Sequence, residues 1–173
     1  YSRAPYVSDR DRVQLDAEGS IQYGMYYWDD NYPDSHVFAE GECLRKTFDP
    51  DFMLYHTMAV DEWGHMKGAD SAEYANAVAA VGHLIAARMP EWLEKGYQVV
   101  VTADHGMNNL GIHVGTEHAQ REVALYIFSD KVENGRFEEN YISQLNVAPM
   151  VCRLMGVPAT EGMKQELEIA FAK

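Results

Sequence analysis

Apolar and polar positions alternate, cluster and recur along this chain in a pattern that predicts strands separated by helices. Residues 1 to about 34 are rich in Asp, Tyr, Gly and Pro, and only the alternation around Ile21, Tyr23 and Met25 suits a short strand. Ser35 stands where an N-cap is expected, and the segment to about Thr47 reads as a short helix closed by Asp49-Pro50. Phe52 to Val60 is the first clear strand, followed by a loop from Asp61 to Asp70. Val78, Val81, Ile85, Met89 and Trp92 then recur at helical spacing, the stripe of a helix that packs on a sheet. Pro90 is predicted to kink or restart that helix, and Gly96 to close it. Tyr97 to Ala103 gives a second strand, Glu122 to Phe128 a third, and Val147 to Met155 a helix that stops at Gly156-Val157-Pro158. A strand, a crossover helix and a strand imply a parallel pair, so the expected fold class is α/β, a mostly parallel sheet flanked by helices. Functional groups then belong at the C-terminal ends of the strands.

The bulk numbers narrow the functional classes. With 173 residues and 47% hydrophobic content, the chain can bury one substantial core, so residues 1–173 are expected to form a single α/β domain. The 27 acidic against 14 basic residues give a formal charge of −13, which excludes a surface for nucleic acid. A small anionic substrate still fits, provided that cations reverse the local field. Cys43 and Cys152 lie far apart and form no metal-type spacing, which points to a reducing, cytoplasmic setting. No apolar run reaches the length of a membrane span, and the opening Tyr1-Ser2-Arg3 is not a signal peptide, so no membrane partner is expected. The absent initiator Met suggests a processed or truncated chain.

Candidate chemistry gathers where the apolar runs end. Val99-Val100-Val101-Thr102-Ala103-Asp104-His105-Gly106 runs from a buried-looking strand into an adjacent carboxylate and imidazole, half of a coordination sphere. Adjacent strand residues point to opposite faces, so Asp104 and His105 share one cation only if the backbone turns between them; otherwise they serve two. Phe52 to Val60 likewise leads into Asp61-Glu62-Trp63-Gly64-His65, where a turn of helical pitch puts Asp61 and His65 on one face. Gly64 permits a close backbone approach or a positive φ, and Trp63 and Met66 read as packing residues. A zinc-like ion on Asp61 and His65 wants a third ligand, and either His113 or His118 in the following loop can reach. His36, His56 and His83 read mainly as structural, with His56 nearest to the candidate site. Tyr26 to Pro33 offers aromatic faces for a nucleobase, although a packed or turn-forming segment is the plainer reading.

Three motifs carry a family resemblance over roughly residues 28 to 157. Phe52 through Val60 with Asp61-Glu62-Trp63-Gly64-His65, then Val99 through Asp104-His105-Gly106-Met107-Asn108, then His113-Val114-Gly115-Thr116 before Arg121 to Phe128, resemble the alkaline phosphatase superfamily. More narrowly they are similar to its type I phosphodiesterase/nucleotide pyrophosphatase branch. The resemblance implies an alkaline-phosphatase-like core. It also implies two divalent metal ions, zinc with manganese as the alternative, one held by Asp61, His65 and His113 and the other partly by Asp104 and His105. His118 stays open as the third ligand, because phosphomutases of the superfamily carry a ligand histidine nearer the following strand. The implied activity is two-metal hydrolysis of a phosphodiester or nucleotide pyrophosphate bond through a phospho-enzyme, on a small phosphate-containing substrate such as a nucleotide.

The chain also departs from the family pattern. Val114 replaces a glycine and Ala124 stands where proline is usual, so the loop conformation is expected to shift. Upstream, residues 1 to 51 hold no strand-terminal Asp followed by a Thr or Ser nucleophile; Ser35 and Thr47 are the hydroxyls present. The expectation is therefore the C-terminal part of a larger, incomplete domain, with most metal ligands but not the nucleophile. A phosphomutase or phosphonate hydrolase of the same superfamily is the nearest enzymatic alternative, and a non-catalytic metal-binding remnant is the other.

Overall fold

The structure, a computed structural model, describes residues 12–135, 141–164 and 166–172. Contacts divide the chain into two compact units: the part up to Arg88 together with Asp104–Val123, and Met89–Ala103 together with the part from Ala124 onward.

The first unit opens with a hairpin of β1 (Val13–Leu15) and β2 (Tyr23–Met25), paired antiparallel with Gln14 opposite Gly24. The strand expected around Tyr23 is thus present, and Tyr23 stacks on Phe48 of α1 (Asp34–Phe48) with ring centroids 3.9 Å apart. α1 starts one residue before the expected cap, with Pro33 at the N-cap and Asp34 turned inward. That carboxylate organises the chain beyond its own helix. Asp34 Oδ1 accepts from the backbone N–H of Met58 at 3.1 Å and of Ala59 at 3.4 Å. Two amides that no helical carbonyl reaches are thereby satisfied, and α2 (Ala59–Lys67) begins there. α3 (Ala72–Ala86) follows, with Ser71 Oγ accepting from Tyr74 N at 3.1 Å as a side-chain N-cap.

The strand expected over Phe52 to Val60 is corrected by this arrangement. Residues 52–58 have no regular structure, and Ala59 and Val60 already belong to α2. Met53 and Tyr55 turn inward, Tyr55 against Phe38 at 5.2 Å, whereas Phe52 and Leu54 are 54% and 67% exposed. Alternation specifies extended backbone, but a strand also needs a neighbour, and among the described residues this segment joins neither sheet. Capping by Asp34 then turns the chain into a helix.

In the second unit, α4 (Met89–Glu94) restarts the helix at Pro90 as expected, and Gly96 closes it with φ of 87°. β3 (Val99–Val101) pairs with β4 (Tyr126–Phe128), Val100 opposite Ile127. This pairing is antiparallel, where a mostly parallel sheet was expected; among the described residues the strands form two antiparallel pairs rather than one sheet. In the intervening chain, α5 (His118–Arg121) belongs to the first unit. A 3₁₀ turn (Gln144–Asn146) leads into α6 (Val147–Met155), which ends at Gly156 in the left-handed region with φ of 74°. Met150, Leu154 and Ile169 form the core, with Val100, Leu125, Ile127 and Phe171 packed around them. Buried Asn146 is satisfied by donating to Ser143 O at 2.9 Å and Glu168 Oε2 at 3.1 Å and accepting from Glu168 N at 3.0 Å.

Met150 is fully buried, with 0% of its surface exposed. Met150→Ala is therefore expected to cost about 2–5 kcal/mol, through lost apolar burial and the cavity left behind. Urea unfolding followed by tryptophan fluorescence measures this, and a midpoint equal to that of the parent chain would show that the α6 core collapses around the gap.

Candidate metal centre

The site lies within the first unit and is assembled from α2 and the 104–123 segment. Asp61 and His65 are four residues apart on α2, and His65 Nε2 stands 3.5 Å from Asp61 Oδ2. The other oxygen faces the second segment: Asp61 Oδ1 is 3.8 Å from His105 Nε2 and 3.9 Å from His113 Nε2. The His105 and His113 rings stack with centroids 3.8 Å apart, and His65 meets His113 edge-on at 5.0 Å. Asp104 lies at the solvent side, its Oδ1 3.7 Å from His105 Nε2 and accepting from His105 N at 3.1 Å.

Backbone carbonyls fix the imidazoles. His65 Nδ1 lies 2.8 Å from Gly111 O, and His105 Nδ1 lies 3.0 Å from Gly106 O. A carbonyl only accepts, so Nδ1 carries the proton in each ring, and a neutral ring then has its lone pair at Nε2. Those lone pairs converge on a carboxylate that also has nothing to donate. Asp61 Oδ1 is buried and lacks a hydrogen-bond partner. One oxygen of Asp61 and one nitrogen each of His105 and His113 lie within 4.8 Å of one another. An unsatisfied buried carboxylate oxygen among imidazole nitrogens is an arrangement into which a divalent cation fits.

Close backbone packing makes the convergence possible. Gly68 ends α2 with φ of 81°, and a Cβ there would lie 2.1 Å from Asn109 O. Asn108 folds the facing turn: its Oδ1 accepts from Leu110 N at 3.0 Å and Ile112 N at 2.9 Å, and its carbonyl accepts from Ala69 N at 3.1 Å. Gly111, with φ of 73°, brings its carbonyl against His65 in that turn. Gly64 is buried inside α2 with Met107 against it, so it serves close approach rather than positive φ. Gln120 is buried and reaches both histidine loops, donating from Nε2 to Ile112 O at 3.2 Å and accepting at its backbone carbonyl from Gly106 N at 3.0 Å. Tyr74 of α3 lies beside this packing; burial, and then the charge of Asp61, push its phenol above the ordinary range and keep it neutral.

The five residues singled out by sequence, Asp61, His65, Asp104, His105 and His113, thus occupy one neighbourhood. Within it, His105 lies near both Asp61 Oδ1 and Asp104 Oδ1, and His113 near Asp61 Oδ1. The strand ends at Val101, so residues 104 and 105 are not bound to opposite faces of a pleat. His118 lies elsewhere: it is 90% exposed and pairs through Nδ1 with Glu122 one helical turn on. His56 Nδ1 meets the Tyr27 hydroxyl at 2.7 Å, and His36 packs edge-on against Tyr32 at 5.7 Å. In the aromatic segment, the Arg12 guanidinium covers Trp28 at 4.8 Å and Tyr32 at 5.5 Å, a packed arrangement within the chain. Gln120, Asn108 and Tyr74 carried no sequence signal as parts of this site. The pattern Glu117-x-x-Gln120 does mark the capping box observed at α5.

Comparison with known proteins adds chemistry to this geometry. A family model described as type I phosphodiesterase/nucleotide pyrophosphatase matches residues 6–147. The GPI ethanolamine phosphate transferase 3 catalytic subunit of Mus musculus is 27% identical over 157 residues, covering 86% of this chain and 14% of that protein. Its counterpart in Homo sapiens is 29% identical over 65% of this chain and 10% of its own length. GPI ethanolamine phosphate transferase 2 of Schizosaccharomyces pombe is 24% identical over 65% of this chain and 17% of its own length. The chain therefore spans less than a fifth of these relatives. No solved structure matches the chain.

Proposed function

The chain belongs to the type I phosphodiesterase/nucleotide pyrophosphatase family of the alkaline phosphatase superfamily, and from that premise we propose that Asp61, His65, His105 and His113, with Asp104 at their edge, hold divalent cations for phosphoryl transfer. The observation that carries this reading is the buried, unpartnered Asp61 Oδ1 between two imidazole nitrogens. Bound there, a divalent cation such as zinc supplies Lewis-acid stabilisation of charge on a phosphoryl oxygen.

The chain's own residues prepare that site. The carbonyls of Gly111 and Gly106 hold the proton of His65 and His105 on Nδ1, leaving Nε2 free to coordinate. Asp61 presents one oxygen to His65 and the other to His105 and His113, which gives one carboxylate a place in both halves of the centre. A chain of charge −13 repels phosphate unless positive charge is concentrated locally, and this cluster is where we place that charge. The nucleophile is assigned to polypeptide outside these residues.

The reaction class is cleavage of one ester bond of a phosphodiester, releasing one alcohol or phenol as the leaving group and transferring the remaining substituted phosphoryl group to an acceptor oxygen. Relatives named for ethanolamine phosphate transfer favour an alcohol as acceptor, while the family's name favours water. The test is an assay of the protein that carries this chain with 4-nitrophenyl phosphoethanolamine as donor, with and without an added primary alcohol. Nitrophenolate release that needs zinc or manganese, stops with chelator and survives His118→Ala is the expected result. Formation of the alcohol's phosphoethanolamine ester identifies a transferase, and free ethanolamine phosphate a hydrolase. Release that persists after complete cation removal overturns the proposal, and tight cation binding without any release identifies a metal-binding remnant.

A further inference from the structure

Gln120 occupies an unusual place for a glutamine. It is 6% exposed, sits on the short helix α5, and touches the loops on both sides of it. Its backbone carbonyl accepts from the N–H of Gly106, the residue next to His105. Its side-chain Nε2 donates to the carbonyl of Ile112, the residue next to His113, at 3.2 Å. Its Oε1 accepts from Glu117 N at 3.2 Å and completes the capping box of α5. All of its polar groups are thus committed, and the residue spans the two histidines whose rings stack at 3.8 Å.

Gly115 supports the same geometry. A Cβ at this position would lie 2.2 Å from Gln120 Oε1 and 2.9 Å from Nε2, so any larger residue displaces the amide. In the His113-Val114-Gly115-Thr116 motif, where a second glycine was the expectation at 114, the glycine that remains is the one that clears space for Gln120. Val114 is 80% exposed.

Resting on the metal-centre reading above, we infer that Gln120 is a positioning residue for the cation site: its amide sets His113 against His105 and so completes the donor group around Asp61. The physical reason is rotational. A loop histidine free to swing loses entropy on binding a cation, and a donor tied through the neighbouring carbonyl has already lost it. Gly115 acts through Gln120, whose amide is what an added Cβ would meet.

The experiment compares cobalt and zinc binding to the chain with binding to Gln120→Met, Gln120→Glu and Gly115→Ala, read by cobalt absorption and competition with a chromophoric chelator. Melting of each cation-free protein is followed by circular dichroism. Gln120→Met keeps the size of the side chain and removes both hydrogen bonds. Gln120→Glu keeps the acceptor for Glu117 N and the capping box, and replaces the donor to Ile112 O by a carboxylate oxygen that faces that carbonyl with a buried charge. We expect affinity to fall about tenfold to a hundredfold in each variant, the range for residues that orient ligands. The cation-free Gln120→Glu protein should fold but melt below the parent, because its carboxylate is desolvated against the Ile112 carbonyl. Gly115→Ala combined with Gln120→Met should lose no more affinity than Gln120→Met alone. Folded variants with parental affinity overturn the inference, as does failure of both Gln120 variants to fold, which would make this a folding residue. If the parent chain itself binds neither cobalt nor zinc, the metal-centre reading falls and takes this inference with it.

Discussion

Asp61→Asn is expected to lose cation binding by more than a hundredfold while making the cation-free protein more stable. The two effects have one cause. Asp61 Oδ1 is a buried acceptor without a donor, facing imidazole nitrogens at 3.8 and 3.9 Å. Asparagine keeps the shape, removes the charge that a divalent cation requires, and supplies an N–H that can turn toward a nitrogen lone pair. Satisfying a buried polar group recovers about 1 kcal/mol. Replacing a direct ligand exceeds the about ten- to hundredfold loss typical of residues that only orient ligands. Elemental analysis of the dialysed protein, paired with calorimetric melting in chelator, measures both. A variant that retains the parental cation content removes Asp61 from the centre. One that loses the cation yet melts lower without it would mean that the carboxylate is structurally satisfied in a way the geometry does not contain.

Gly106→Ala is the second large effect, and here stability and binding fall together. A Cβ on Gly106 would stand 2.1 Å from Ala119 O and 3.0 Å from Glu122 O, both backbone atoms that no rotamer change can move aside. The loop must retreat from α5, stretching the Gly106 N to Gln120 O hydrogen bond and shifting the carbonyl that orients His105. Overpacking of this kind costs about 1–3 kcal/mol. For a chain of this length that is a fall of about 2–4 °C in melting temperature for each kcal/mol. Gly82 is the matched control: it lies within α3 with nothing inside 4 Å of an added Cβ, so Gly82→Ala should stabilise by about 0.5–1 kcal/mol. Equal melting of Gly106→Ala and the parent would show that the loop and α5 are not held as tightly as their contacts require.

Local chemistry was legible in the sequence where it depended on neighbours along the chain. Pro90 and Gly96 mark the helix restart and stop at which α4 begins and after which it ends. The stripe from Val78 to Ile85 marks α3, and Val147 to Met155 coincides with α6. The Asp61 and His65 pair was legible for the same reason, since helical pitch alone puts them on one face. Strand pairing was not legible, because hydrogen-bond partners far away in sequence decide it. Phe52 to Val60 has the composition of a buried strand, yet Asp34 caps its end and the chain continues as a helix. Likewise, that His113 rather than His118 comes beside Asp61 follows from the turn built by Asn108 and the pairing of His118 with Glu122, neither of which spacing encodes. Gln120 drew no notice in the sequence because its tie to Ile112 exists only in three dimensions.

Phe52 and Leu54, exposed on a segment without regular structure that joins neither sheet among the described residues, carry a practical consequence for anyone handling this chain alone. Large apolar side chains exposed on a stretch outside any sheet favour intermolecular β-assembly. Purified at high concentration, the chain should tend toward β-rich aggregates, and a gatekeeper lysine at position 54 is the simplest remedy.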